Sequence, residues 1–335
     1  MPANLSRIKL WSIGGGKGGI GKSLITLGLG VSLARMGKKV ILIDGDLGGA
    51  NLHTLMGVRY PHVSLEQFLT KKVTRLEDTI IETSVEGIGL ICGADDLLGA
   101  ANPTYSQKIR LLNQIEALPA QYVLLDLGAG TSFNTLDFFN YSGGKITLFT
   151  SQATSLQNAY GFIKSALYRK LSRDFAKDNE VLQLLYQGGE TGSGQSIHSM
   201  QDFLSHFEHT NPEKHARLTQ TLWDFHMFLV VNMVKSNADL KSPEIISSVC
   251  RDFLSIQPDI MGHVPFDSGV EAAVSHMVPF PLHQKKSKAM MGLDQIALRL
   301  VKESRLPRVA WKAAEEPSEA EDVPLDSIII HPSGS

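Results

Sequence analysis

Eight residues near the start of the chain, Gly16-Lys17-Gly18-Gly19-Ile20-Gly21-Lys22-Ser23, restrict the folds open to it more than any other feature. They satisfy the spacing G-x-x-x-x-G-K-[ST] between an apolar run at residues 8–13 and a helix-length segment at residues 22–36. Strand, glycine-rich turn and helix in that order form the context a phosphate-cradling loop needs. Glycines let successive backbone N–H groups turn inward on an anion, and the helix N-terminus adds the positive end of its dipole. In such a loop Lys22 reaches the β- and γ-phosphates of a nucleotide, and the Ser23 hydroxyl ligates Mg²⁺.

The rest of the chain fits a sheet that could present this loop. Candidate strands at 8–13, 39–43, 87–92, 122–126, 145–150, 227–233 and 260–264 alternate with candidate helices at 22–36, 105–118, 133–140, 155–175, 243–256 and 286–303. Several strands are unbroken Val/Ile/Leu runs, the pattern of strands covered on both faces. The alternation predicts an α/β fold, a mostly parallel, twisted sheet with helices on both faces. Residues 177–226 interrupt it with a Gly/Ser-rich stretch at 187–196 beside helical patterns at 200–208 and 213–225. They read as a helical and loop insertion in a single domain spanning residues 1–305. Residues 306–335 read as a disordered acidic tail. From Ala313 onward that tail carries Glu315, Glu316, Glu319, Glu321, Asp322 and Asp326, with no Lys or Arg. The whole chain has a formal charge of −2, so its body is mildly basic, short of the footprint of a dedicated nucleic-acid binder. Two cysteines, Cys92 and Cys250, cannot build a disulfide framework and suit a reducing cytosol. No secretory apolar core and no apolar run near roughly 18 residues is present, so a cytoplasmic location is expected.

Two acidic elements add to the loop. Asp44-Gly45-Asp46 ends the second candidate strand, and acids two apart on an extended segment point the same way. Carboxylates so close need a cation or ordered water between them, which a magnesium–phosphate site supplies. The run YVLLDLGAG, residues 122–130, delivers Asp126 at the end of an apolar strand, the position from which an aspartate holds Mg²⁺. No N-K-x-D segment of the kind that reads guanine occurs, which favours ATP.

KGGIGKS at 17–23 resembles the deviant Walker A motif of the MinD/ParA superfamily of P-loop ATPases. DGDLGGANLHTLMG at 44–57 resembles its switch I, and the Gly-Ala-Gly after Asp126 its switch II, in a form closer to the FlhG/FleN flagellar-number regulators than to MinD. The resemblance implies that Lys17 reaches across a dimer interface to the partner's nucleotide. It implies that Asp46 positions the attacking water, that Asp44 and Asp126 join Ser23 around Mg²⁺, and that Gly128 and Gly130 approach the γ-phosphate. It also implies that Asn232, in VVN, reads adenine and that Pro265, in GHVP, contributes through its backbone. His53 stands where the family often has an acid.

The implied activity is slow, Mg²⁺-dependent ATP hydrolysis that drives a homodimerisation switch in placing the division site or flagella. A protein partner would stimulate the hydrolysis. A ParA-like DNA-partition ATPase and a metabolic P-loop ligase or kinase are the alternatives. The basic, amphipathic segment 285–305, with Met291, Leu293, Ile296, Leu300 and Val301 as apolar positions, has two readings. It is either a last helix packed on the sheet or, as in MinD proteins, a peripheral membrane contact at the inner face of the cell membrane.

Overall fold

The Val, Ile and Leu runs become the strands of one sheet in the computed structural model, which describes residues 8–93, 103–187, 199–276, 279–280, 287–303 and 306. The strands are β1 (Lys9–Gly14), β2 (Val40–Gly45), β3 (Ile81–Glu82), β4 (Ile88–Ile91), β5 (Tyr122–Leu127), β6 (Gly144–Thr150), β7 (Phe228–Val234) and β8 (Asp259–Pro265). They lie in the order β3-β4-β2-β5-β1-β6-β7-β8. Every pairing is parallel except that of β3 with β4. All seven expected strands form, with ends displaced by one or two residues. The eighth, β3, is a two-residue antiparallel edge, too short to show a period.

The helices are α1 (Lys22–Arg35), α2 (Leu52–Leu55), α3 (Leu65–Leu69), α4 (Tyr105–Ile115), α5 (Phe133–Tyr141), α6 (Ala153–Asp174), α7 (Asn179–Gln187), α8 (Met200–Thr210), α9 (Pro212–Asp224), α10 (Ser242–Leu254), α11 (Ser268–Ser275) and α12 (Lys288–Lys302). Successive strand residues point to opposite faces, so each strand feeds two cores. On one face Trp11, Ile13, Leu42 and Leu124 pack with Leu27 of α1 and Leu293 and Ile296 of α12. On the other, Ile41, Ile43 and Leu125 share a cluster with Phe139 of α5, Phe162 of α6 and Cys250 of α10. Phe203 and Phe207 of α8 and Leu218 of α9 belong to that same cluster, so the helices within residues 177–226 have no core of their own. Beyond Gln187 the Gly/Ser-rich stretch lies outside the described residues, as does the tail beyond Leu306.

The two readings of residues 285–305 separate here. Leu293, Ile296 and Leu300 are buried against the sheet and α1, while Asp294 accepts a hydrogen bond from Ser32 at 2.6 Å and Arg299 donates to the Met261 carbonyl at 2.5 Å. The apolar stripe faces the core, leaving Met291 and Leu298 as its exposed large side chains. Among the described residues no helix is long and apolar enough to cross a membrane.

Candidate nucleotide site

The loop from β1 to α1 sits at the carboxyl end of a central strand, where ligands of open α/β sheets bind. Gly21 caps α1 with φ 91°, a left-handed conformation, and a Cβ there would lie 2.6 Å from the Asn232 amide nitrogen. Only glycine meets both demands. Gly16 backs onto the Asn158 carbonyl of α6, and Ile20 is buried, so the loop is anchored from below. Gly18 and Gly19 are exposed on its outer side.

The two loop lysines take different positions. Lys17 is exposed. Lys22 is half-buried, its Nζ 3.5 Å from the Lys17 carbonyl. Burial lowers the Lys22 pKa against the attraction of Asp126 and Asp46, so a polyanion entering here would favour its charged form. Ser23 and Thr26, on one side of the first turns of α1, both hydrogen-bond Asp126, Thr26 at 3.3 Å from Oδ1. Thr26 is a site residue that the motif does not include; its i+3 spacing from Ser23 was the available signal.

Asp44 and Asp126 are direct register partners on β2 and β5. Burial first, then the neighbouring Asp44 charge, pushes the Asp126 carboxyl up to about 7. Burial pushes Asp44 up to about 6 although backbone N–H groups oppose it. Those N–H groups identify what Asp44 does in this structure. Its Oδ2 accepts from Leu52 N at 2.9 Å and its Oδ1 from Asp46 N at 3.2 Å, so it fastens the 46–52 loop to the sheet. Asp46 lies against Gly128, where a Cβ would approach its Oδ1 to 3.1 Å. Gly130 follows with φ 89°, and Ser132 caps α5 by accepting from Thr135 N at 3.3 Å.

Asn232, near the end of β7, reaches the phosphate loop. Its Nδ2 donates to the Ile20 carbonyl at 2.8 Å and its Oδ1 accepts from Met233 N at 2.9 Å. Both bonds brace the underside of the loop. Pro265 ends β8 beside Phe266, whose N–H bonds the Val234 carbonyl at 2.9 Å, tying the tops of the last two strands together. The structure thus brings Lys22, Ser23, Asp44, Asp46, Asp126 and Gly128 together, with Lys17 outside and Asn232 beneath.

The donor set suits magnesium. Hydroxyl and carboxylate oxygens are hard ligands, and two adjoining buried acids lack a local cation equal to their charge. Among the described residues no three His, Cys, Asp or Glu side chains form a cage. Magnesium needs none, since it is bound through one or two carboxylates and substrate phosphates.

A glycine loop at a strand's carboxyl end, with a lysine and paired aspartates around it, defines a nucleotide-binding protein of the P-loop α/β class. Residues 11–280 match the family described as the CobQ/CobB/MinD/ParA nucleotide binding domain, and the chain belongs to that family. The flagellum site-determining protein YlxH of Helicobacter pylori is 32% identical over 168 residues, 48% of this chain and 54% of that protein. The antiactivator FleN of Pseudomonas aeruginosa is 24% identical over 159 residues, 47% of this chain and 56% of that protein. The chain spans about half the length of the curated relatives it matches. The septum site-determining protein MinD from Pyrococcus horikoshii, solved with Mg-ADP, shares the fold at a TM-score of 0.59 and 20% identity, covering 88% of this chain and 96% of that one.

Proposed function

We propose that this chain is a Mg²⁺-dependent ATPase working as a dimerisation switch in the placement of a cellular structure, as the names of its YlxH, FleN and MinD relatives suggest. The observation that carries this reading is the division of labour between two lysines five residues apart. Lys22 is drawn in toward Asp46 and Asp126, while Lys17 stays at the exposed rim, free to meet the nucleotide of a second copy. Two cations so near each other repel unless both serve a polyanion.

In this reading Gly16 to Ser23 cradle the phosphates, Ser23 and Asp126 hold Mg²⁺ with Asp44 behind them, and Asp46 orients the water. Gly128 and Gly130 sense the γ-phosphate. Mg²⁺ would neutralise charge developing on the phosphates. Asn232 and Pro265 border the space for the base. Turnover need not be fast, because the output is a change in dimer population, and a partner protein can set its rate. Residues 8–303 act as one domain.

Light scattering after size-exclusion chromatography with Mg-ATP tests this directly. Asp46→Ala should bind ATP, stall and accumulate dimer. Lys17→Ala should bind ATP and stay monomeric, whereas Lys22→Ala should lose nucleotide about 100-fold or more, a change of roughly 2.7 kcal/mol. An undiminished dimer fraction for Lys17→Ala removes the cross-subunit role.

A further inference from the structure

Three polar side chains in the middle of the sheet serve no purpose in the nucleotide site. Ser12 of β1 and Lys145 of β6 are direct register partners, and Thr147 follows Lys145 by two residues on the same strand. Neighbouring strands lie about 4.8 Å apart and alternate residues about 6.6 Å apart, so the three positions form one small triangle. Trp11 and Ile13 belong to the core on the α1 side, while Phe149 of β6 joins Phe139 and Phe162 on the other. Alternation therefore places Ser12, Lys145 and Thr147 together on the face covered by α5 and α6. Ser12 and Thr147 are fully buried, and neither hydroxyl has a hydrogen-bond partner among the described residues. Buried polar atoms are nearly always paired, so two orphans beside one lysine need an explanation.

Lys145 is itself out of place. It is 3% exposed in an apolar layer, and burial, then the Lys170 charge, pushes its pKa down to about 7. A desolvated neutral amine is a nucleophile at ordinary pH. Other lysines are placed differently. Lys22 faces Asp126 and Asp46, Lys108 bonds Asp137 at 2.7 Å, and Lys214 bonds Asp178 at 2.9 Å and Glu180 at 2.6 Å. A carboxylate in that position keeps a lysine protonated and repels any acid group formed on it. The charge that acts on Lys145 is a cation, Lys170, which Asp174 fixes at 2.9 Å.

We propose that Lys145 is a site of carbamylation by carbon dioxide, with the Ser12 and Thr147 hydroxyls as donors to the carbamate. The amine nitrogen attacks the carbon of CO₂ and an N–C bond forms. One C=O electron pair moves onto oxygen, and the proton on nitrogen passes to water, leaving a carbamate of charge −1. No oxidant, reductant or second substrate enters. The Lys170 charge that disfavours an ammonium here favours this anion, and hydroxyl bonds to an anion are among the strong ones. Size and polarity choose the reagent. Carbon dioxide is small and apolar enough to enter a packed layer, whereas acyl phosphates and thioesters are bulky or charged. The product puts a negative charge beneath β1, beside Ser12, four residues before the phosphate loop opens at Gly16.

Trapping with a trialkyloxonium reagent, which esterifies a carbamate before it loses CO₂, tests the assignment without nucleotide. The full chain is equilibrated with ¹³C-bicarbonate at about pH 7.5, trapped, digested and read by mass spectrometry. The expected product is a ¹³C-labelled ester on Lys145, several-fold more abundant than on the exposed Lys17, Lys39 or Lys72. No ester on Lys145, or equal labelling of the exposed lysines, overturns the proposal and leaves the two hydroxyls to buried water. Thr147→Val, which keeps the shape of the side chain, and Ser12→Ala should each lower Lys145 labelling several-fold. Labelling unchanged in both overturns the proposed cradle.

Stability gives a second readout. Lysines of the unfolded chain keep their ordinary value of 10.5 and stay protonated at this pH, so carbon dioxide reacts with the folded state in preference and stabilises it. At fixed pH and ionic strength, the urea midpoint of the parent should rise when bicarbonate replaces chloride, and that of Lys145→Met should not. An equal rise in both, or no rise in the parent, overturns the proposal. Neither measurement involves ATP, so failure here leaves the ATPase reading standing.

Discussion

Asp126 and Asp137 are both buried, eleven positions apart, and electrostatically opposite. Asp126 sits where burial and the Asp44 charge push its carboxyl up to about 7. Burial also acts to raise Asp137, but the hydrogen bond and charge of Arg169, then Arg173 and Lys108, hold it below the ordinary carboxylate range. One acid has more local cation than it can use and the other has less than it needs. The difference separates structure from function. A charge that serves the fold carries its own counterions, whereas a charge that serves a ligand leaves part of the balance to that ligand.

The sharpest way to break this contrast is Asp137→Ala. It removes the carboxylate on which Lys108, Arg169 and Arg173 converge, and removing one partner from a buried ion cluster costs about 3–5 kcal/mol. Urea unfolding should show a loss of that size with an unchanged denaturant slope. A loss under about 1 kcal/mol would mean that the cluster is held by packing and that its charge is incidental.

These two regions also differ in how far the sequence discloses them. The phosphate loop, Asp44, Asp46 and Asp126 are legible because each lies in a short segment whose spacing encodes its geometry: a glycine turn before a helix, an acid at a strand end. The Asp137 cluster draws on positions 108, 137, 169 and 173, on three helices, and no local pattern announces which helices will touch. Asn232 shows the same limit from within the site. Its strand end is readable, but its bond to the Ile20 carbonyl depends on β7 lying beside β6 and near the loop. Periodicity exposes the apolar face of α12 without saying what covers it. The short α2, α3 and α11 hold too few turns to register.

Lys145 sharpens the comparison from the cation side. It is 3% exposed on β6, with no carboxylate paired to it among the described residues, and burial, then Lys170, pushes it down to about 7. Between pH 7 and its ordinary value of 10.5 the unfolded chain binds the proton that the folded chain has released. Stability from this group therefore rises with pH across that window and is lowest at and below its lower edge. Lys145→Met should add about 1–3 kcal/mol near pH 6.5, shrinking toward zero by about pH 10. Chemical denaturation at several pH values checks it, and a gain that does not vary with pH would show that shape, not charge, sets the cost.

The smallest expected change in stability belongs to Asp126→Asn, and it is the most informative. If Asp126 is a charge awaiting a cation, neutralising it in the absence of nucleotide and Mg²⁺ removes a burial cost and keeps an oxygen facing the Thr26 hydroxyl. Thermal unfolding under those conditions should move by no more than about 1 kcal/mol, in the stabilising direction. Adding Mg-ATP should separate the two proteins. A ligand at 100 times its dissociation constant stabilises the parent by about 2.7 kcal/mol, and the variant, without the carboxylate proposed to hold the metal, should keep only a small part of that shift. A variant as damaged without ligand as Asp137→Ala would place Asp126 among the acids that hold the fold together, and the distinction between the two aspartates would fail.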